Sequence, residues 1–247
     1  KRANKEVQRL KETKVSFKIL PIPPEERIVV LINDSAFDTS GKERSQFGWI
    51  IGCSSNKLAQ NQPADFSLCA WRSKKLGRKA ASSMLCETLA LSKGSENLLW
   101  FQLYLMSLQY GDFDVRLKAR RSIANSEKFV LKRDNPRESK PSALMIIDAK
   151  SLYDALKSEQ TLQEDRRAAL EIAVLKDDMA MLKALCRWIP HNFNPADGLT
   201  KYIGAHLEPL MELLRTHVLR LFDESQVLQE HSLLKEKHGY LPRSKGT

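Results

Sequence analysis

Two short apolar runs in this chain stop at an acid: VVLIND ends at Asp34 and LMIID at Asp148. Each run reads as a fully buried strand, too short for a helix and rich in β-branched residues. A carboxylate at that boundary limits the fold, because a buried charge needs a partner. Taken singly, each acid has a second reading. Asp34 suits a turn leading into SAFDTSG, and Asp148 suits the N-cap of the next helix.

Periodicity supplies the frame around them. PIPPEER at 21–27 separates a charged, helical stretch at 1–14 from the rest of the chain, since clustered prolines continue neither a helix nor a central strand. ERIVVLIN, QFGWIIGC (46–53) and FSLCAWRS (66–73) then read as an antiparallel meander. Residues 79–93 and 95–110 read as two helices, SALMIID (142–148) as a fourth strand, SLYDALKS and EDRRAALEIAVLKDDMAMLKAL as helices, and LCRWIP (185–190) as a fifth strand. NPADGLTKYI and HLEPLMELLRTHVLRLF read as helical again. The order β-β-β-α-α-β-α-α-β-α describes an α/β domain, a five-stranded mixed sheet with helices on its faces. The expected organisation is a basic helical connection and Pro-rich linker at 1–25, a domain at 26–203 with a basic insertion at 111–140, and a C-terminal helix and basic tail at 204–247.

Charge is distributed unevenly. Of a net +10, residues 1–14 carry +4, residues 111–140 carry +4 and residues 231–247 carry +3, so the rest is nearly neutral. Such stretches are either solvated tails and loops or an electrostatic footprint for a polyanion. No run approaches the roughly 18 apolar residues of a membrane span, and the charged N-terminus lacks a signal-like core, so the expectation is a soluble, intracellular domain with no membrane partner. Cys53, Cys69, Cys86 and Cys186 form no metal or disulfide pattern and read as reduced core thiols. Trp71 likewise reads as core, with a stacking platform as its second reading.

Two further acids fall on this frame. Glu87 shares a helical face with Ala80, Ser83, Met84, Ala90 and Leu91, an apolar setting for a carboxylate. Asp197 lies in NPAD, where Asn194 suits an N-cap, Pro195 the first helical position and Asp197 a favourable first-turn acid. If the first and fourth strands are parallel neighbours, Asp34 and Asp148 end side by side, where crevices of such sheets bind ligands. Packed helices would then add Glu87 and Asp197. Four converging carboxylates require hard divalent cations, and two Mg²⁺ ions about 3.5–4 Å apart suit in-line displacement at phosphorus.

WRSKK (71–75), ASSMLCETLALS (81–92), IIDAKSLYDAL (146–156) and PADGLTK (195–201) resemble the ribonuclease H domain of copia-type retrotransposon polyproteins, and RANKEVQRLK resembles the connection that follows their reverse transcriptase. The resemblance covers residues 26–203 and implies a ribonuclease H-like fold. It also implies catalytic and metal-binding roles for Asp34, Glu87, Asp148 and Asp197, a cofactor of two Mg²⁺ ions with Mn²⁺ as an alternative, and hydrolysis of the RNA strand of RNA–DNA hybrids. The implied partners are the hybrid and the polyprotein's reverse transcriptase region; the implied place is a cytoplasmic virus-like particle or the nucleus. Ser82 and Ser83, at the start of the Glu87 helix, become candidate sugar or phosphate contacts. Arg72, Lys74, Lys75, Arg78 and Lys79 become a basic loop for the nucleic-acid backbone. Leu85 stands where relatives often carry an extra acid, and RRAALEIAVLKDDM replaces a stretch that usually holds a histidine. His191 is then the one histidine expected near the site. The rival readings are an inactive nucleic-acid-binding module from a decayed element, and an interaction domain in which the acids are only caps. An integrase order is absent, since Glu208 lacks a matching context.

Overall fold

A computed structural model describes residues 16–38, 44–109, 141–158, 165–201 and 204–223, together with 227 and 229. The expected helix at 1–14, the basic stretch at 111–140 and the basic tail at 231–247 lie outside the described residues.

The strands are β1 (Arg27–Ala36), β2 (Gln46–Ser55), β3 (Ala64–Lys75), β4 (Ala143–Ile147), β5 (Ala184–Trp188) and β6 (Val218–Leu219). They form one sheet in the order β5-β4-β1-β2-β3-β6. β1 pairs in parallel with β4, and β4 with β5. The meander β1-β2-β3 is antiparallel, as is β3 with β6. The helices are α1 (Ser83–Gln109), α2 (Lys150–Lys157), α3 (Arg166–Leu182), the short α4 (Asp197–Thr200) and α5 (Glu208–Thr216). This is the mixed, helix-flanked sheet expected, with six strands in place of five. No helix among the described residues is long and apolar enough to cross a membrane.

Alternation along β1 explains why its sequence is apolar throughout. Val29 and Leu31 enter a core beneath α1, α2 and α3, while Ile28, Val30 and Ile32 enter a second core on the other face. Leu213, Leu219 and Leu221 close that second core. The cysteines are free thiols, Cys53, Cys86 and Cys186 buried and Cys69 half-buried.

Several sequence expectations change. The helices at 79–93 and 95–110 are one, α1, beginning only at Ser83. Its N-cap is Ser82, whose Oγ accepts the Leu85 N–H at 3.1 Å. Gly94 does not break it, because close packing on the sheet uses the missing side chain: a Cβ there would stand 2.9 Å from Leu31 Cδ2 and 3.2 Å from Asn33 Oδ1. The C-terminal helix is the second change. It stops at Thr216 because His217 turns left-handed at φ 54°, and Val218–Leu219 then pair with β3. Finally, β3 runs on to Lys75, so Arg72, Lys74 and Lys75 belong to a strand rather than a loop. Trp71 on that strand is 55% exposed and stacks on Phe17, with ring centroids 5.3 Å apart, so it is not core.

Candidate metal centre

The parallel pairing of β1 and β4 sets the site. Ile32 pairs with Ile146, and Asp34 and Asp148 each lie two residues further on, so both stand at the same end of the sheet. Asp34 is not the last residue of its strand. It stays within β1, opposite Gly48 of β2, and is 1% exposed. Asp148 follows directly after β4, and its carbonyl accepts the Trp188 indole N–H at 2.8 Å. Glu87 comes from the second turn of α1, which packs on the opposite face through Leu89, Ala90 and Leu91. One carboxylate oxygen from each of Asp34, Glu87 and Asp148 lies within 4.8 Å of the others.

Electrostatics shows what this convergence costs. Burial, then Asp148 and Asp197, push the Asp34 carboxyl up to about 8, against the pull of Lys201 and the Thr200 hydroxyl. Burial, then Asp34 and Asp148, push Glu87 up to about 9. Without a cation the three groups cannot all stay ionised near neutral pH. An all-oxygen set of this span fits hard divalent ions such as Mg²⁺ or Mn²⁺. A divalent ion would restore the ionised state that burial disfavours.

Asp197 stands beside this triad. It is 1% exposed and opens α4, whose approach to the sheet needs Gly48: a Cβ on Gly48 would stand 2.6 Å from Leu199 Cβ. Buried Asn194 ties the preceding turn down, donating to the Asn33 carbonyl at 3.1 Å and accepting from the Ala196 N–H at 3.0 Å. The Asp197 oxygens are engaged: Oδ1 accepts from Lys201 Nζ at 3.0 Å, and Oδ2 lies 3.2 Å from both His191 Nε2 and His206 Nδ1. Thr200 Oγ1 donates to Asp34 Oδ2, and Lys201 Nζ is 3.6 Å from the same oxygen. His191 also bridges to Asp148, Nδ1 to Oδ2 at 2.7 Å.

Sequence reasoning therefore placed His191 near the site and missed Thr200, Lys201 and His206. Thr200 and Lys201 were legible as the i+3 and i+4 neighbours of Asp197 on one helical turn. His206 carried no such signal, because it lies on a separate turn, Gly204–Leu207.

The proposed backbone contacts divide. Arg72, Lys74 and Lys75 are exposed on β3, and Ser73 between them donates to the Leu199 carbonyl at 2.6 Å, joining that strand end to α4. Lys79 and Ser83 are exposed. Arg78 is ion-paired with Glu171, and Ser82 donates to Asp165 Oδ2 at 2.8 Å besides capping α1. Those two side chains tie the segment leading into α1 to α3 and its cap.

No protein-family model matches the sequence, and no curated protein matches it. Solved structures similar to it include LC11-RNase H1, isolated from compost by a metagenomic approach, at 12% identity and a TM-score of 0.42 over 70% of this chain and 91% of that one. Another is the protease-reverse transcriptase of prototype foamy virus, at 11% identity and a TM-score of 0.34 over 83% of this chain. This chain spans 22% of the foamy virus protein.

Proposed function

We propose that this chain is a divalent-metal-dependent endonuclease that hydrolyses the RNA strand of RNA–DNA hybrids. The setting implied by its sequence motifs is reverse transcription by a copia-type retrotransposon, beside the element's reverse transcriptase. The observation that carries the reading is the meeting of Asp34, Glu87 and Asp148, from β1, α1 and the end of β4, within 4.8 Å. Buried carboxylates held this close cost free energy unless a cation compensates them.

Bound Mg²⁺ would supply activation of water at the scissile phosphate and stabilisation of the departing ribose oxygen. The chain's own residues do the positioning. Asp34 is held by Thr200 and by Lys201, whose ammonium spans Asp34 and Asp197. Asp148 is fixed through its carbonyl by Trp188 and through its carboxylate by His191. Burial pulls the Lys201 ammonium down, but Asp34 and Asp197 outweigh it and hold the charge in place. Arg72, Lys74, Lys75 and Lys79 suit phosphates of the hybrid, and Ser83 a sugar. Restriction to RNA would come from 2′-hydroxyls in the wide, shallow minor groove.

The test uses a hybrid with labelled RNA. Wild-type protein should cleave it in Mg²⁺ or Mn²⁺, leaving 3′-hydroxyl and 5′-phosphate ends, and Asp148→Asn should lower the rate at least about a hundredfold. Tight hybrid binding by the wild type with no cleavage in either metal would sink the reading in favour of an inactive binding module.

A further inference from the structure

Beyond the triad, two imidazoles converge on a single carboxylate oxygen. Asp197 Oδ2 faces His191 Nε2 and His206 Nδ1, each at 3.2 Å, and one ligand atom from each residue lies within 4.8 Å of the others. We propose that His191, Asp197 and His206 form a second cation site, suited to a borderline transition metal such as Zn²⁺, next to the carboxylate triad. Two imidazole nitrogens and one carboxylate are a donor set that Zn²⁺ takes readily and that Mg²⁺, which prefers oxygen, does not.

Distance, orientation and access all agree with this. Both contacts are longer than the roughly 2.7–2.9 Å of a charge-assisted hydrogen bond. They are close to the ~3.3 Å edge of a tetrahedron whose corners lie about 2.0–2.1 Å from zinc. The ligands are held from behind. His191 Nδ1 lies 2.7 Å from Asp148 Oδ2, and a proton donated there leaves the Nε2 lone pair facing Asp197. A carboxylate behind a ligating histidine is the arrangement that orients such ligands. Asp197 is held in the same way, with Oδ1 3.0 Å from Lys201 Nζ and Oδ2 left to face the imidazoles. The imidazoles meet at 60° with centroids 5.5 Å apart, so neither ring stacks over the other. The histidine side chains are 53% and 41% exposed while Asp197 is 1% exposed, which opens one side to an arriving ion and its water.

A consequence rests on the nuclease reading above. Zn²⁺ held here would fix Asp197 and, through His191, Asp148, and would oppose cleavage supported by Mg²⁺. The site is then inhibitory.

Binding is tested first, without any substrate. Metal-free protein is titrated with Co²⁺, followed by its visible d–d absorption, and with Zn²⁺ by calorimetry, for wild type, His206→Ala, His206→Gln and Asp34→Asn. His206→Ala and His206→Gln should each weaken binding at this site at least about tenfold, while Asp34→Asn leaves the intense d–d band of four-coordinate Co²⁺ unchanged and alters only binding at the triad. Either folded His206 variant binding as tightly as the wild type overturns the proposal, as does loss of the signal in Asp34→Asn alone. Cleavage is the second arm: micromolar Zn²⁺ added to Mg²⁺ should inhibit the wild type and spare His206→Ala, each rate being taken relative to the same protein's own rate in Mg²⁺ alone. Equal inhibition of both removes the inhibitory role. A protein that binds Zn²⁺ through His206 but never cleaves a hybrid would retain the site and lose only the nuclease reading.

Discussion

Asp34, Glu87 and Asp148 ride on a ten-residue strand, a 27-residue helix and the end of a five-residue strand. His191, Asp197 and His206 ride on turns of three or four residues. The first group is held by the framework of the domain, so its carboxylates cannot move apart to relieve repulsion, and burial raises Asp34 and Glu87. The second group satisfies itself locally, with Asp197 shared among Lys201, His191 and His206. The contrast teaches where each site keeps its strain. A rigid frame stores electrostatic cost that a hard cation can release, whereas turns spend their charges on neighbours and leave a softer, more open ligand set.

The largest expected effect breaks the first half of that contrast. Asp34→Asn should lower hybrid cleavage at least about a hundredfold, on the order of 3 kcal/mol, yet raise the thermal midpoint of the metal-free protein by several degrees, because a buried acid under repulsion is removed. Cleavage assays and calorimetry on one preparation check both halves; a fall in that midpoint would show Asp34 to be a stabilising residue and not a strained one.

pH supplies the next test. The folded Asp34 and Glu87 titrate at about 8 and about 9, against ordinary values of 3.8 and 4.5. Between those limits the folded state holds protons that the unfolded chain has released. In a chelator, their stabilising contribution is therefore full below about pH 4 and is lost as pH rises through about 8 to 9. Thermal melts from about pH 5 to about pH 9 should show this decline from these two groups, with Mg²⁺ flattening it and Asp34→Asn reducing it.

A third variant asks whether the frame itself sets the triad. Gly94→Val brings in a Cβ that would stand only 2.9 Å from Leu31 Cδ2, and should cost about 1–3 kcal/mol of stability. Because α1 carries both Gly94 and Glu87, apparent Mg²⁺ affinity should fall as well, measured by isothermal titration on the folded fraction.

The smallest effect sharpens the boundary between the groups. Lys201→Met removes the cation shared by Asp34 and Asp197, whose side chain is 26% exposed. After solvent screening its loss should tighten Mg²⁺ binding by a few fold, on the order of 1 kcal/mol. Weaker Mg²⁺ binding would instead show that the hold of Lys201 on the two carboxylates outweighs the repulsion its charge exerts on the ion.

Much of the framework was readable in the amino-acid order alone. Both-sided burial of β1 and β4 makes their sequences apolar without interruption, so VVLI and LMII announce themselves, and the acids that end those runs stand out beside them. Glu87 was readable because its helical neighbours are small and apolar. The gap read between 79–93 and 95–110 was wrong, because α1 runs through Gly94, whose missing side chain lets the helix pack against Leu31. Trp71 misled because aromatic residues in strands are usually buried, and this one stacks on Phe17 near the surface. His206 was invisible, since its meeting with Asp197 depends on how one turn folds back on another.

The sequence by itself therefore determined which segments are strands and helices and which acids interrupt their apolar surfaces, because period and burial are written in neighbouring residues. Only the tertiary structure decided that Asp34 and Asp148 lie abreast, that α1 lays Glu87 against them, and that Asp197 is claimed by a lysine and two histidines. Those facts depend on strand register and on turns packed across more than a hundred residues of chain, and electrostatics acts through space rather than along the polypeptide.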